Sequence, residues 1–193
     1  MADCTRFDIE LLLRAYGAGL RLRRRDLAGL DLSGLNLSGT DFTGSVLVNA
    51  NLRDARLSGA CFSRCNLSGA ELSGARADGA NWNGAFAWKL RLDGAVISNA
   101  SFVRARLEET DFTNATANQA NFLCGVLNHS KFDAADLSRT EFLGARLDGC
   151  SFSGANLSQA RMEPDAARRY LLPEQRADLL AIDPSAMYAE YYG

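Results

Sequence analysis

From Leu22 to Met162 every fifth residue is apolar, 29 positions in succession with no insertion or deletion. Two residues before each of them stands a second inward-looking position, and in 24 of the 29 units it is filled by Ala, Ser, Thr, Cys or Gly. The other three positions of the quintet are mostly polar, and the last of them is Gly in 13 units. In the unit Ala50–Asp54 these five are the small position (Ala50), the first outward (Asn51), the large (Leu52), the second outward (Arg53) and the corner (Asp54). A period of five fits neither a helix, at 3.6 residues per turn, nor a flat strand, at 2. It requires a chain that runs a short side and then turns, and Gly, Asn, Asp and Ser at the outward positions suit tight turns.

The number of sides follows from where the bulky residues fall. Nine large positions are aromatic: Phe42, Phe62, Trp82, Phe102, Phe112, Phe122, Phe132, Phe142 and Phe152. On three sides they would spread evenly. On four sides, a twenty-residue coil, Phe42, Phe62, Trp82, Phe102, Phe122 and Phe142 fall in one column, and the other three fall in the opposite one. A two-sided coil would sort them too, but it encloses too little to form a core. Ala77 and Ala87 flank Trp82 within a coil, and Ala117 sits between Phe112 and Phe122, so large beside small keeps the cross-section constant, as close packing demands. The expected fold is an all-β solenoid, a four-sided parallel β-helix over residues 20–164, of about seven coils and roughly 35 Å long at one strand spacing per coil.

The ends of such a rod expose unpaired backbone and need covering. Residues 1–19 are expected to supply a capping helix over 6–16, opened by a Thr5–Asp8 capping box, bearing Phe7, Leu11 and Tyr16, and closed by Gly17. Residues 165–193 are expected to form two helices, about 165–172 and 174–182, parted by Pro173 and stopped by Asp183-Pro184. The tail after them places Tyr188, Tyr191 and Tyr192 on one helical stripe, suited to a cap or a homodimer contact.

ANLRD (50–54), CNLSG (65–69), ANWNG (80–84), TDFTN (110–114), ADLSR (135–139) and ANLSQ (155–159) closely resemble the repeat unit of the pentapeptide repeat family. The resemblance covers residues 20–164 and implies a right-handed quadrilateral β-helix. The first coil departs from the pattern, with Arg25 and leucines 20, 30 and 35 where small residues belong. Some members of the family mimic duplex DNA, bind type II topoisomerases such as gyrase and protect against quinolones; in those, dimers form through the C-terminal end. The repeat region here holds 15 acidic and 16 basic residues. A duplex of that length carries about 20 phosphates, so the charge speaks against mimicry. One side is somewhat acidic (Asp31, Asp54, Glu71, Asp93, Asp111, Asp133), yet Arg53, Arg91 and Lys131 share it. Direct nucleic-acid binding is not expected either, since Arg21, Arg23, Arg24 and Arg25 make a basic cluster at one end only.

Composition narrows the setting. The chain of 193 residues is 47% hydrophobic and 23% charged, the balance of a folded soluble protein. No secretory signal and no membrane-spanning run is seen, and five cysteines (4, 61, 65, 124, 150) at irregular spacing suit a reducing compartment, read as the cytoplasm. Nineteen of the 21 basic residues are Arg, a bias that fits a GC-rich genome. Catalytic chemistry has no visible foothold. The one histidine, His129, takes a corner position, and Glu108 and Glu109 are adjacent and expected to be hydrated. Cys61 and Cys65 should point to opposite sides of the wall, which makes no metal site, and no cofactor is expected. The departure from a polar coat is the aromatic pair Phe86 and Trp88, outward on either side of Ala87, with Val46, Val48 and Val126 on the same side. Val103, Leu123 and Leu143 should face outward next to it. The sequence therefore points to a non-catalytic scaffold or interaction module, with Phe86 and Trp88 at its contact patch.

Overall fold

In the computed structural model, which describes residues 3–180, the chain is wound four quintets to the coil. The first outward residue of each quintet bridges, in parallel, its equivalents twenty residues before and after: Val46 pairs with Asp26 and with Asn66, and the pattern continues unbroken from Arg21 to Arg161. The four walls are named here by their large positions: wall 1 holds Leu22, Phe42 and onward, wall 2 Leu27 and Leu47, wall 3 Leu32 and Leu52, wall 4 Leu37 and Leu57. Among the described residues no continuous strand runs along any wall; one bridged residue per quintet is all that pairs. The expected β-helix holds in its winding and not in its strands, because a corner at every fifth residue leaves no room for a longer extended run.

Each quintet carries five backbone amides, and four of them find carbonyl partners in most units, as buried polar groups require. In the Leu47 unit, Ser45 N–H closes a turn on Phe42 O at 2.8 Å. Val46 N–H reaches down to Arg25 O at 2.9 Å, while Leu47 and Asn49 reach up to Asn66 O and Ser68 O at 2.7 and 3.0 Å. The fifth amide, at the second outward position, faces no neighbouring carbonyl. Asp or Asn at the first outward position supplies it: Ser33 N–H donates to Asp31 Oδ1 at 3.0 Å, Thr43 to Asp41 at 2.9 Å and Ser68 to Asn66 at 3.1 Å. Where that residue is something else, the coil below can serve, as when Val103 N–H donates to Asn83 Oδ1 at 2.9 Å. The Asp/Asn of the repeat is thus a backbone acceptor, and turn chemistry explains it without a binding role.

Every corner from Arg24 to Gln159 has positive φ, between 54° and 72°; thirteen are glycine and fifteen are not. The winding stops where the next corner would be Pro164, whose ring fixes φ near −65° and cannot take that conformation. Pro164 instead opens helix α2 (Pro164–Tyr170), which is followed by α3 (Pro173–Ala177). These elements end two and five residues earlier than the sequence suggests; Tyr188, Tyr191 and Tyr192 lie outside the described residues. The segment covers the top coil: Gln175 Nε2 donates to Phe152 O at 2.7 Å, Leu180 N–H to Ala160 O at 3.0 Å, and Gln159 N–H finds Asp178 O at 2.7 Å.

At the other end α1 (Arg6–Tyr16) opens with the Thr5–Asp8 capping box and closes at Gly17. Ile9 is the residue it buries, with Leu12 and Leu13 partly buried beside it. Phe7 and Leu11, expected to cover the rod, are 66% and 55% exposed, and Tyr16 is exposed as well. The helix packs by its 9–12–13 stripe, and Phe7 and Leu11 lie on the opposite face. Leu30 and Leu35 pack partly buried against the core at this end, where no coil lies beneath and a small residue would leave a void.

Inside, Phe42, Phe62, Trp82, Phe102, Phe122 and Phe142 form one stacked column with ring centroids 4.2–5.4 Å apart and planes within 19°. Phe112, Phe132 and Phe152 stack on the opposite wall at 4.7 and 5.1 Å. The two columns meet edge to face across the bore, at 5.6–6.2 Å, the geometry that ring quadrupoles favour. Buried hydroxyls and thiols at small positions donate to the carbonyl 23 residues earlier: Ser45 to Leu22 O, Ser130 to Leu107 O, Cys65 to Phe42 O.

Candidate functional site

Phe86 and Trp88 are held outward because Ala87 between them occupies a large position and points into the bore. They are 39% and 46% exposed on wall 2. Arg106, one coil above Phe86, lies over its ring at 5.5 Å, and Lys89 lies over the Trp88 ring at 4.0 Å. The indole N–H of Trp88 donates to Glu109 Oε1 at 3.1 Å, and Lys89 Nζ stands 3.7 Å from the same carboxylate. The rings are therefore fixed in orientation by charged neighbours, which lowers the entropy a partner must remove on docking.

The patch is not one continuous apolar surface. On the ladder through Phe86 the neighbours are Asn66 below and Arg106 above, so Val46 and Val126 lie two coils away on either side. Val46 is exposed; Val48 and Val126 are half-buried. On wall 1, Val103 and Leu123 are half-buried, and Leu143, expected to face outward, is buried. Glu163 is the second outward residue above Leu143, and its side chain turns back to accept from Gly144 N–H beside it. Leu143, outward by register, is thus not exposed.

Glu108 and Glu109, expected to be free in water, are both engaged. Glu108 pairs with Arg106 at 3.2 Å and is only 24% exposed, because a second outward residue lies close against the wall. On wall 3, Glu71 takes Arg53 at 3.4 Å and Arg91 at 3.7 Å, and Arg91 also reaches Asp93 at 3.2 Å. Within the somewhat acidic strip, Glu71 and Asp93 are thus paired in place, and Asp31 pairs with Arg6 at 3.3 Å. His129 sits exposed at a corner with φ 62°.

Three arginines stand at the corner between walls 1 and 2: Arg24, which sequence reasoning places only in the basic cluster at one end, and Arg64 and Arg104, which it passes over. Their side chains make no hydrogen bond or ion pair among the described residues. Gly44 and Gly84 occupy the same corner in the coils between. The signal was a forty-residue spacing, invisible to a search for quintets.

The cysteines divide by environment. Burial pushes Cys65 and Cys150 up to about 12. Burial also raises Cys61, but hydrogen bonds with the Ser63 and Thr43 hydroxyls outweigh it and hold this thiol below its ordinary value. Cys124 is exposed. A soluble thiol reagent at about pH 8 should modify Cys124 and Cys61 in the folded protein and reach Cys65 and Cys150 only on unfolding, since the thiolate is the reactive form. Equal rates at all four would contradict the inward setting of the small positions. Among the described residues no group of three His, Cys, Asp or Glu is placed to hold a metal ion, and no helix is long and apolar enough to cross a membrane.

No curated protein sequence matches the chain. Among solved structures it is similar to Rfr23, a pentapeptide repeat protein from the cyanobacterium Cyanothece 51142, at 17% identity, with 81% of this chain and 99% of that one covered and a TM-score of 0.44. HetL, a pentapeptide repeat protein involved in heterocyst differentiation regulation from Nostoc sp. strain PCC 7120, is 20% identical over 83% of this chain and 98% of its own, with a TM-score of 0.24. Full-length QnrB1, a plasmid-mediated fluoroquinolone resistance protein, is 16% identical over 78% and 95%, with a TM-score of 0.32. Likenesses this distant carry nothing about a partner for this chain. The family profile described as pentapeptide repeats matches eight copies, over residues 26–64, 65–85, 91–122 and 127–163. With that match over most of its length, and with a coil that closes every twenty residues, the chain belongs to the pentapeptide repeat family.

Proposed function

We propose that this protein is a non-catalytic interaction module, a rigid rod that binds another protein through wall 2. The observation that carries the reading is the pair of large aromatics, Phe86 and Trp88, held outward side by side on wall 2, with Val46, Val48 and Val126 on the same wall. Rigid, oriented aromatic anchors are the side chains that dominate protein interfaces. The setting is the cytoplasm, a reading supported by five free cysteines, and the hand of the coil is taken as right-handed, after the family. Topoisomerase binding by DNA mimicry is the weaker reading: acidic and basic residues are almost equal in number along the repeats, and Glu71 and Asp93 on wall 3 are partnered by arginines.

Replacing Phe86 and Trp88 together by serine should leave the melting temperature nearly unchanged, since exposed substitutions shift stability by only about 0.5 kcal/mol. The same change should remove a partner captured from the source organism. If the double variant keeps every partner of the parent, wall 2 is not the binding surface. A gyrase supercoiling assay with and without a quinolone tests the mimic; no effect at micromolar protein is the expected result.

A further inference from the structure

Over the residues of walls 1 and 2 from 42 to 107 there is no acidic side chain, while Arg64, Lys89, Arg104 and Arg106 are all cationic. Arg106 is paired with Glu108, and Lys89 with Glu109, one coil above. Arg64 and Arg104 are unpaired, as is Arg24 further down the same corner. The spacing is regular. Arginine occupies this corner in alternate coils, and in the coils between, the corner is Gly44, Gly84 and then Cys124. Beside those three stand Val46, Phe86 and Val126 at the first outward position of wall 2. The arginine stems run beside these corners: a Cβ on Gly44 would stand at ordinary contact distance, 3.5 Å, from Arg24 Cγ, and one on Gly84 at 3.8 Å from Arg64 Cγ. The edge therefore reads, going up the rod, cation, apolar, cation, apolar, cation, apolar, with one coil between steps.

Coils one strand spacing apart put successive arginines roughly 10 Å apart and each apolar residue about halfway between them. An α-helix repeats itself axially every seven residues at about 10.5 Å, with positions three or four residues on halfway between. We propose that this edge receives an acidic amphipathic α-helix of a partner protein, laid along the rod axis. Its carboxylates at heptad spacing meet Arg24, Arg64 and Arg104, and its apolar seam meets Val46, Phe86 and Val126. The proposal rests on the reading of wall 2 as a binding surface and names the chemistry of what binds there. A single nucleic-acid strand fits less well, because its charges lie about 3.4 Å apart along the axis. A second copy of this chain offers α1, whose Arg6, Asp8, Glu10 and Arg14 give no net charge.

The test titrates two synthetic helical peptides of identical composition against the full-length protein, followed by Trp88 fluorescence. One peptide carries glutamates at heptad spacing with leucines between; in the other the glutamates are five residues apart. The heptad peptide should bind at least about ten-fold more tightly than its isomer. The Arg64→Glu/Arg104→Glu variant should lose that preference and instead bind a heptad peptide with lysine in place of glutamate. Equal binding of both isomers, absence of binding at about millimolar peptide, or tighter binding of an oligothymidine would each overturn the helix assignment. So would light scattering that shows the protein dimerising through this edge. If serine at 86 and 88 removes a native partner while the double arginine variant keeps it, the interaction surface stands and the acidic helix falls.

Discussion

Phe102→Ala is expected to destabilise the rod by about 3–5 kcal/mol, as a buried Phe-to-Ala change does. Phe102 stacks on Trp82 at 5.4 Å and on Phe122 at 4.7 Å, and meets the edge of Phe112 at 6.2 Å. A cavity at this level cannot close by collapse. The coils above and below are held at their spacing by amide-to-carbonyl bonds at every large position from Leu22 to Phe142, such as Phe102 N–H to Asn121 O at 2.7 Å. Neighbouring coils share the stack, so denaturant unfolding should show the loss through the whole transition and not as a separate early phase. Phe42, at the end of the column with Phe62 as its stacking partner, should cost less when cut to alanine. A Phe102→Ala variant that melts like the parent would show that this ring does not carry the column.

How far the sequence reveals this molecule depends on whether a residue's surroundings repeat. Trp82 could be placed over Phe62 from numbering alone, because every coil has twenty residues and bulk in one coil dictates bulk in the next. Leu143 could not be placed, since its burial depends on Glu163 folding back from the last coil, and that happens once. The same holds for α1. Its boundaries are legible in Thr5, Asp8 and Gly17, but Ile9 rather than Phe7 faces the core, and this depends on how the helix sits on a coil whose small positions are leucines. Glu108 and Glu109 look alike in a string of letters; one lies close against the wall at the second outward position and the other stands at a corner. The corner arginines were hidden for a different reason. Their meaning lies in what they lack, a carboxylate within reach, and only the assembled walls show that.

The corners give the second large effect. Gly69→Val is expected to cost about 2–3 kcal/mol, and the cost separates into two parts. Gly69 has φ 69°, a conformation that costs an L-residue about 1–2 kcal/mol and is worse for a β-branched one. A Cβ there would also run into Oδ1 of Asn49, the corner residue one coil below. Gly94 has nearly the same φ, 66°, but a Cβ on it would meet nothing within 4 Å. Gly94→Val should therefore show the backbone part alone. In an Asn49→Gly background the penalty of Gly69→Val should fall to that of Gly94→Val, with an interaction energy of about 0.5–1 kcal/mol in the double-mutant cycle. Were Gly94→Val to cost nothing, positive φ would not be what selects glycine here. Ala134 shows the conformation can be carried without glycine, at φ 55°, provided the stack inside offsets the strain. A coil that carries Arg, Lys, Glu and Gln at such corners, as this one does, can display charge along an edge at any level. On this chain the arginines at 24, 64 and 104 are such a display, at every second coil of one corner.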